Sequence, residues 1–192
     1  MRIGIDIDDV LMETTGPFVV WHNRVYGTDK RFHELREHDL SGVLDVEPAA
    51  VTKRWLEFAD TSEFKRIGPY GTAQEVIRTL ARDCEIVIIT ARPEVLEGQT
   101  RSWLDRYFSG QISDVHFADN YVHNGRKKKS EICSAEDIPV LVDDSFEHAA
   151  HVVAAGHRAL VFNCPWNEDK ALEDGMYRVY AWSDVGRLVQ NV

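Results

Sequence analysis

The sequence has little cysteine, and its cysteines form no pattern that a structural site would need. Three cysteines, Cys84, Cys133 and Cys164, lie far apart, and no two of them form a CxxC pair. An odd number at this spacing argues against a disulfide framework and against a zinc site. We therefore predict reduced, mostly buried thiols and a cytoplasmic protein.

Long apolar runs and an excess of positive charge are also missing. No apolar stretch approaches the roughly 20 residues that a membrane-spanning helix needs, and the apolar run after Met1 is too short for a signal peptide. Lys and Arg number 22 against 32 Asp and Glu, which gives a net charge of −10. Because a nucleic-acid polymer would meet net repulsion, we expect neither a polymer nor a membrane as partner. An anionic substrate then needs a metal ion or a locally positive pocket.

Several apolar segments have the character of strands buried in a parallel sheet. They are residues 2–8, 85–90, 139–143 and 158–162, with a weaker candidate at 114–118. Helical spacing of apolar residues predicts helices between them. These helices are residues 72–81, 93–108, 130–132 and 146–155. Strands that alternate with helices predict an α/β fold with a doubly wound parallel sheet.

The segment 12–69 breaks this alternation, because it contains no convincing strand and is rich in aromatic residues. We predict a small helical insertion here, so that residues 1–12 and 70–192 form the core and residues 13–69 the insertion. Its aromatic side chains favour the interior of a small helical bundle over a base-stacking platform. Phe18 and Trp21 are nevertheless the candidates for contact with a substrate.

Polar side chains follow the ends of three predicted strands. They are Asp6 and Asp8, then Thr90, then Asp143 and Asp144, while Lys129 precedes the strand 139–143. Functional groups of parallel sheets gather at the carboxyl ends of the strands, so we expect these side chains to converge. Several carboxylates repel one another unless a cation is bound, and their hard oxygen atoms favour Mg²⁺. The set indicates phosphoryl-group chemistry with a carboxylate nucleophile.

Four short motifs, in chain order, resemble those of the haloacid dehalogenase superfamily of phosphohydrolases. They are Asp6-Ile7-Asp8-Asp9-Val10, Ile88-Ile89-Thr90-Ala91-Arg92, Lys129 and Leu141-Val142-Asp143-Asp144. Any one motif alone is a weak signal, whereas four in the right order are a strong one. Asp9 stands where a glycine is common, but its position carries no chemistry in the family.

The resemblance implies a role for each matched residue. Asp6 would be the nucleophile and a magnesium ligand, and Asp8 would be the general acid and then the base, with its carbonyl oxygen on the metal. Thr90 and Ala91 would bind the phosphoryl group, and Lys129 would neutralise charge there. Asp143 would bind the metal directly, and Asp144 would hold the ion or its waters.

Within that superfamily the chain resembles the 5′(3′)-deoxyribonucleotidase branch and its bacterial relatives. The supporting features are the Asp-Asp-Val start, the Ile-Thr-Ala-Arg-Pro run and the segment Phe162-Asn163-Cys164-Pro165-Trp166-Asn167. The resemblance makes the insertion a helical cap that selects the substrate. It implies a Mg²⁺-dependent phosphomonoester hydrolase that forms an aspartyl-phosphate and acts on (deoxy)nucleoside monophosphates.

Other functions remain open at this point. The same chemistry could act on a sugar phosphate or another small phosphomonoester, and a catalytically idle protein could only bind a phosphorylated ligand. A signalling receiver domain is disfavoured, because its acid pair and its phosphorylated Asp follow a different order along the chain. The sequence also leaves a homodimer open.

Some residues keep two interpretations. Lys129 is preferred over Lys127 and Lys128 because it directly precedes a predicted helix. Arg92 could contact a substrate or form a surface ion pair. His148 and His151, three positions apart, favour a solvent-facing pair over a metal site.

Overall fold

The computed structural model describes residues 1–119 and 126–189, and within these ranges the strands form a single parallel sheet. The strands are β1 (Arg2–Ile5), β2 (Glu85–Thr90), β3 (Ile112–Phe117), β4 (Val140–Asp143), β5 (Arg158–Phe162) and β6 (Met176–Val179). They lie in the order β3-β2-β1-β4-β5-β6, and every neighbouring pair is parallel. The central place of β1 puts the residues that follow it beside the ends of both β2 and β4.

Helices connect the strands in the described part of the chain. They are α1 (Thr15–Tyr26), α2 (Leu40–Leu44), α3 (Pro48–Ala59), α4 (Ser62–Lys65), α5 (Ala73–Leu80), α6 (Glu97–Phe108), α7 (Lys129–Ala135), α8 (Phe146–Ala154) and α9 (Trp182–Val189). Short 3₁₀ turns occupy Phe32–Glu34 and Glu94–Leu96. None of the helices described within 1–119 and 126–189 is both long enough and apolar enough to cross a membrane.

Successive side chains of each strand point to opposite faces of the sheet, so one strand can contribute to a core on each face. Helices cover both of these faces. Ile86 and Ile88 of β2 pack in the large core that includes side chains of α5, α6 and α9. Val87 and Ile89 pack in a second core with side chains of α7 and α8. The predicted doubly wound α/β fold is thus confirmed.

Gly4 allows β1 to sit tightly between its neighbours. A Cβ atom at this position would lie 3.0 Å from Ile89 Cδ1 and 3.0 Å from Leu141 Cδ1, closer than ordinary contact. Pairing with β4 continues past β1, since the Asp6 amide donates to the Val142 carbonyl oxygen at 2.9 Å. The first acid of the site is therefore fixed to the sheet by its backbone.

Helices α1 to α4 lie between β1 and α5, and a cluster of aromatic rings joins α1, α3 and α4. Phe18 stacks with Trp21 at 5.9 Å between ring centroids and approaches Trp55 at 5.2 Å and Phe58 at 5.7 Å. Phe64 meets Phe58 edge-on at 5.3 Å. The rings form the interior of this helical segment, as their spacing predicts.

Element boundaries differ from the prediction in several places. The predicted strand 2–8 ends at Ile5 in the structure, because the Ile7 carbonyl accepts hydrogen bonds from the amides of Val10, Leu11 and Met12 and the chain turns. Strand β6 and helix α9 were not predicted, since Met-Tyr-Arg-Val at a sheet edge has neither a long apolar run nor strict alternation.

Candidate active site

Three carboxylates meet at the carboxyl edge of the sheet. Asp6 follows β1 and Asp143 ends β4, and Ile5 pairs with Val142, so the two acids are neighbours. Within the described residues, Asp6, Asp143 and Asp144 each offer an oxygen atom within 4.8 Å of the others. The sheet register brings these acids together, as the sequence predicts.

The ammonium group of Lys129 lies between two of these acids. Its Nζ is 2.8 Å from Asp6 Oδ1 and 2.7 Å from Asp143 Oδ2. Burial would lower the pKa of Lys129, but Asp143 and Asp6 raise it above its ordinary value, so the side chain is charged. Lys127 and Lys128 are exposed to solvent. The structure therefore places Lys129, and not Lys127 or Lys128, beside the acids.

The electrostatic balance of the site leaves an excess of negative charge. Burial raises the pKa of Asp6 to about 8, with Asp143 and Asp144 acting in the same direction and Lys129 opposing them. Burial would also raise the pKa of Asp143, but Lys129 and His148 hold it below its usual value. Lys129 alone therefore does not neutralise the three buried carboxylates. A divalent ion with a preference for hard oxygen ligands fits this donor set.

Asp8 points to a different partner, the guanidinium group of Arg92. Arg92 Nε donates to Asp8 Oδ2 at 2.8 Å, and Nη2 donates to Asp8 Oδ1 at 2.7 Å. The hydroxyl oxygen of buried Thr90 accepts from the Arg92 amide at 3.2 Å, and Ala91 borders the adjacent cavity. The buried Arg92 side chain pairs with the half-buried Asp8 inside the site, so the predicted alternative of a surface ion pair is wrong.

Asp9 has a structural use that the sequence did not reveal. It adopts a left-handed backbone conformation, with φ of 56°, which an aspartate tolerates better than most residues. Its Oδ1 accepts from the amides of Thr14 at 3.0 Å and Thr15 at 3.1 Å, and Oδ2 accepts from the Thr15 hydroxyl. Burial, followed by Asp144, raises the pKa of Asp9 to about 7. The side chain ties the start of α1 to the loop after β1.

Asp144 is held by the segment Phe162–Asn167 and by the helical segment. Trp166 Nε1 donates to Asp144 Oδ2 at 3.1 Å, and Asn167 Nδ2 donates to the Asp144 carbonyl oxygen at 2.7 Å. His38 Nε2 lies 3.3 Å from Asp144 Oδ2. Burial would lower the pKa of His38, but Asp144 raises it to about 9. The loop that precedes α2 therefore supplies a second cation, His38, to the acid cluster.

His148 also faces this cluster, and its prediction as part of a solvent-facing pair is wrong. Its Nδ1 lies 3.5 Å from Asp143 Oδ1, whereas His151 is exposed. The reason is that His148 occupies the first turn of α8, which begins directly beyond the carboxyl end of β4.

A cavity of about 190 Å³ opens between the acids and the helical segment. Asp6, Asp8, Arg92 and Lys129 border it on the sheet side. The opposite wall is formed by Leu40, Pro48, Val51, Thr52 and Trp55. The site therefore joins charged groups to a largely apolar pocket.

Phe18 and Trp21 are not brought to this cavity, since both are buried in the aromatic cluster of the helical segment. Trp55 of the same cluster and Trp166 border it instead. Helical spacing could group the aromatic residues but could not tell which ring lies at the edge of the cluster. His38 carried no sequence signal, because it is an isolated histidine outside any motif.

Comparison with known proteins agrees with this arrangement. The family model described as "5′ nucleotidase, deoxy (Pyrimidine), cytosolic type C protein" matches residues 1–192. A candidate nucleotidase from Oceanobacillus iheyensis is 24% identical over 188 residues, which span 96% of each chain.

Solved structures share the fold at low identity. A haloacid dehalogenase-like hydrolase from Streptococcus pneumoniae has a TM-score of 0.70 at 8% identity and covers 98% of each chain. A hydrolase of the same superfamily from Bacillus subtilis, solved with bound magnesium, has a TM-score of 0.62 at 13% identity and covers 98% of this chain and 97% of its own.

Proposed function

We propose, from the premise that this chain belongs to the family of deoxy (pyrimidine) 5′ nucleotidases of cytosolic type C, that it hydrolyses (deoxy)nucleoside 5′-monophosphates. The chain is a phosphomonoester hydrolase of the haloacid dehalogenase superfamily, and the nucleotide substrate is the proposed refinement. The observation that carries the proposal is the position of Lys129 between Asp6 and Asp143, where Lys129 and Asp6 border a pocket that also has an apolar wall.

We further propose a bound Mg²⁺ ion, held by the carboxylates of Asp6, Asp143 and Asp144 and by the backbone carbonyl of Asp8. Three clustered carboxylates with one neighbouring ammonium group support such an ion. When bound, the ion supplies positive charge for the phosphate oxygens and keeps Asp6 ionised at neutral pH.

In the first proposed step, a carboxylate oxygen of Asp6 attacks the phosphorus atom, and the bond from phosphorus to the nucleoside oxygen breaks. Asp8 donates a proton to the departing oxygen, so the nucleoside leaves as a neutral alcohol. Lys129 balances the charge on Asp6 and on the phosphoryl group, while Thr90 and Ala91 bind phosphoryl oxygens. The product of this step is an aspartyl-phosphate on Asp6.

In the second proposed step, a water molecule attacks the phosphorus atom of the aspartyl-phosphate. Asp8, now ionised, accepts a proton from that water. The bond from phosphorus to the Asp6 oxygen breaks, which restores the Asp6 carboxylate and releases inorganic phosphate.

We assign residues 13–69 to a helical cap and residues 1–12 and 70–192 to a catalytic core. The cap would supply the apolar wall of the pocket, in which Trp55 offers a flat surface for a nucleobase. A nucleoside needs such a wall more than a small sugar does, and this favours a nucleotide over a sugar phosphate. The buried thiols of Cys133 and Cys164 are compatible with a location in the cytoplasm.

Phosphate release from a substrate panel tests this proposal. The panel holds ribo- and deoxyribonucleoside monophosphates and sugar phosphates, each with Mg²⁺ and with EDTA, for wild type and Asp6→Asn. Release from a pyrimidine deoxynucleotide that needs Mg²⁺ and is lost in the variant is the expected result. Release from sugar phosphates alone would overturn the nucleotide assignment and leave the chemistry intact.

A further inference from the structure

The guanidinium group of Arg92 contacts the Asp8 carboxylate through two hydrogen bonds, a bidentate contact called the fork. Both Asp8 oxygens are engaged, one by Nε at 2.8 Å and the other by Nη2 at 2.7 Å. Two parallel bonds fix the plane and the direction of a carboxylate, which a single bond cannot do. We propose that Arg92 is a positioning residue that orients Asp8 for proton transfer and is not a substrate contact. This inference rests on the proposed function.

The anchor itself is rigid. Only 1% of the Arg92 side chain is exposed, and three buried neighbours surround its guanidinium group. Nη1 donates to Thr100 Oγ1 at 3.3 Å, Nη2 lies 3.1 Å from Met12 Sδ, and the group sits 5.3 Å from the centroid of the Phe64 ring. A packed interior allows few alternative side-chain positions, so the direction of the fork is fixed.

Asp8 needs such an anchor because its side chain is partly exposed. It lies beyond β1, at the start of the turn that the Ile7 carbonyl organises, and 25% of its side chain is exposed. A partly exposed side chain on a loop has several accessible rotamers. Without Arg92 the carboxyl group would spend only part of its time directed at the leaving oxygen.

The fork leaves Asp8 able to act on a substrate. An ionised carboxylate offers about four acceptor positions, and the guanidinium group takes one on each oxygen. The other positions stay free for a water molecule or for the proton that Asp8 transfers. Arg92 borders the cavity, but only 1% of its side chain is exposed and its guanidinium group is already engaged by Asp8, Thr100 and Met12, which argues against a substrate contact.

Two substrates with different leaving groups test the inference. A nucleoside leaves as an alkoxide that needs a proton, whereas p-nitrophenol leaves readily as an anion. For Arg92→Gln we expect first-turnover cleavage of a deoxynucleotide to fall roughly 10- to 100-fold, since general acid catalysis contributes at least that much. Its KM and the first-turnover release of p-nitrophenolate should remain close to wild type. Arg92→Lys keeps the charge without the fork and should show the same selective loss.

The control variant is Arg101→Gln, which removes an exposed arginine that pairs with Glu97 on the surface of α6. It should behave as wild type with both substrates. An equal loss with both substrates in Arg92→Gln and Arg92→Lys would overturn the inference, and so would a raised KM for the nucleotide with unchanged cleavage.

A double variant tests whether Arg92 acts through Asp8. If Arg92 acts only through Asp8, adding Arg92→Gln to Asp8→Asn leaves the residual first-turnover rate unchanged, because the group to be oriented is gone. A further loss in the double variant contradicts the inference. A wild-type protein that cleaves neither substrate would show instead that the proposed function has failed, and the inference would fall with it.

Discussion

Lys129 Nζ lies 2.8 Å from Asp6 Oδ1, and the same nitrogen atom lies 2.7 Å from Asp143 Oδ2. Removing this cation deprives Asp6 and Asp143 of the ammonium group that both buried carboxylates contact. Lys129→Met should therefore reduce phosphate release at least about 100-fold, the scale for losing one electrostatic contact to the transition state. The exposed Lys127 provides the matched control, because Lys127→Met should release phosphate at the wild-type rate. Equal losses of phosphate release in the two variants would contradict the assignment of this role to Lys129 alone.

Metal binding should stabilise the folded protein, because only the folded state brings the three carboxylates together. At 100 times its Kd, Mg²⁺ should add about 2.7 kcal/mol to the free energy of unfolding of wild type. This added stability should raise the Tm. Asp144→Asn should lose most of this response, while Asp105→Asn on the exposed face of α6 should keep it. A wild-type Tm that does not change when Mg²⁺ is added would argue against a magnesium site. Calorimetric scans with and without the metal measure this directly.

The apolar wall should contribute to nucleotide binding through Trp55. Trp55→Leu should raise the KM for a deoxynucleotide roughly 10-fold, the scale of losing one base-stacking contact. It should change the KM for p-nitrophenyl phosphate less. Phe18→Leu is the control, since Phe18 belongs to the same cluster but does not border the cavity. That variant should lower Tm and leave both KM values unchanged, and a raised KM in Phe18→Leu alone would restore Phe18 as a substrate contact.

His22 should make the protein less stable in acid. Its Nε2 accepts from Arg54 at 2.8 Å, and its Nδ1 lies 2.9 Å from the Thr28 hydroxyl, which itself donates to Asn23. Burial, then Arg54, lowers the pKa of His22 below its usual 6.5. The unfolded chain thus binds the proton more readily, so stability is fully present above pH 6.5 and is lost as pH falls towards the lowered value.

Thermal unfolding as a function of pH measures this effect. Wild type should lose Tm below pH 6.5 more steeply than His22→Gln. His151→Gln, at an exposed position on α8, should keep the wild-type slope. Parallel curves for wild type and His22→Gln would contradict the assignment of a neutral, buried His22.

Much of the fold could be predicted because its central strands are apolar and because most of the motif residues lie at the carboxyl ends of these strands. Asp6, Thr90 and Asp143 were placed from the rule that functional groups follow parallel strands, and β1 does lie between β2 and β4. The position of Lys129 directly before a helix predicts its place in the site, and the structure puts its ammonium group beside Asp6 and Asp143. The paired strand β6 and helix α9 escaped prediction because short amphipathic elements at a sheet edge give a weak signal.

The contacts across the site could not be predicted in the same way. Arg92 and Asp8 are 84 positions apart, and no periodicity relates them. His38 reaches Asp144 only because the helical segment folds over the sheet edge, which depends on the packing of many rings. Phe18 and Trp55 are both aromatic residues of the same helical segment, yet of these two only Trp55 borders the cavity. Side-chain direction in a loop or at the edge of a cluster depends on tertiary packing.

Asp6 is the proposed nucleophile, on which both proposed steps depend, and trapping the aspartyl-phosphate tests this role most directly. Asp8→Asn incubated with Mg²⁺ and p-nitrophenyl phosphate should form the adduct, since this leaving group needs no acid, and should hydrolyse it slowly for want of a base. Acid quenching and peptide mass spectrometry should then find one phosphoryl group on the peptide that contains Asp6, and none in the Asp6→Asn variant. Sustained turnover by Asp6→Asn, or a phosphoryl group on another residue, would contradict the account.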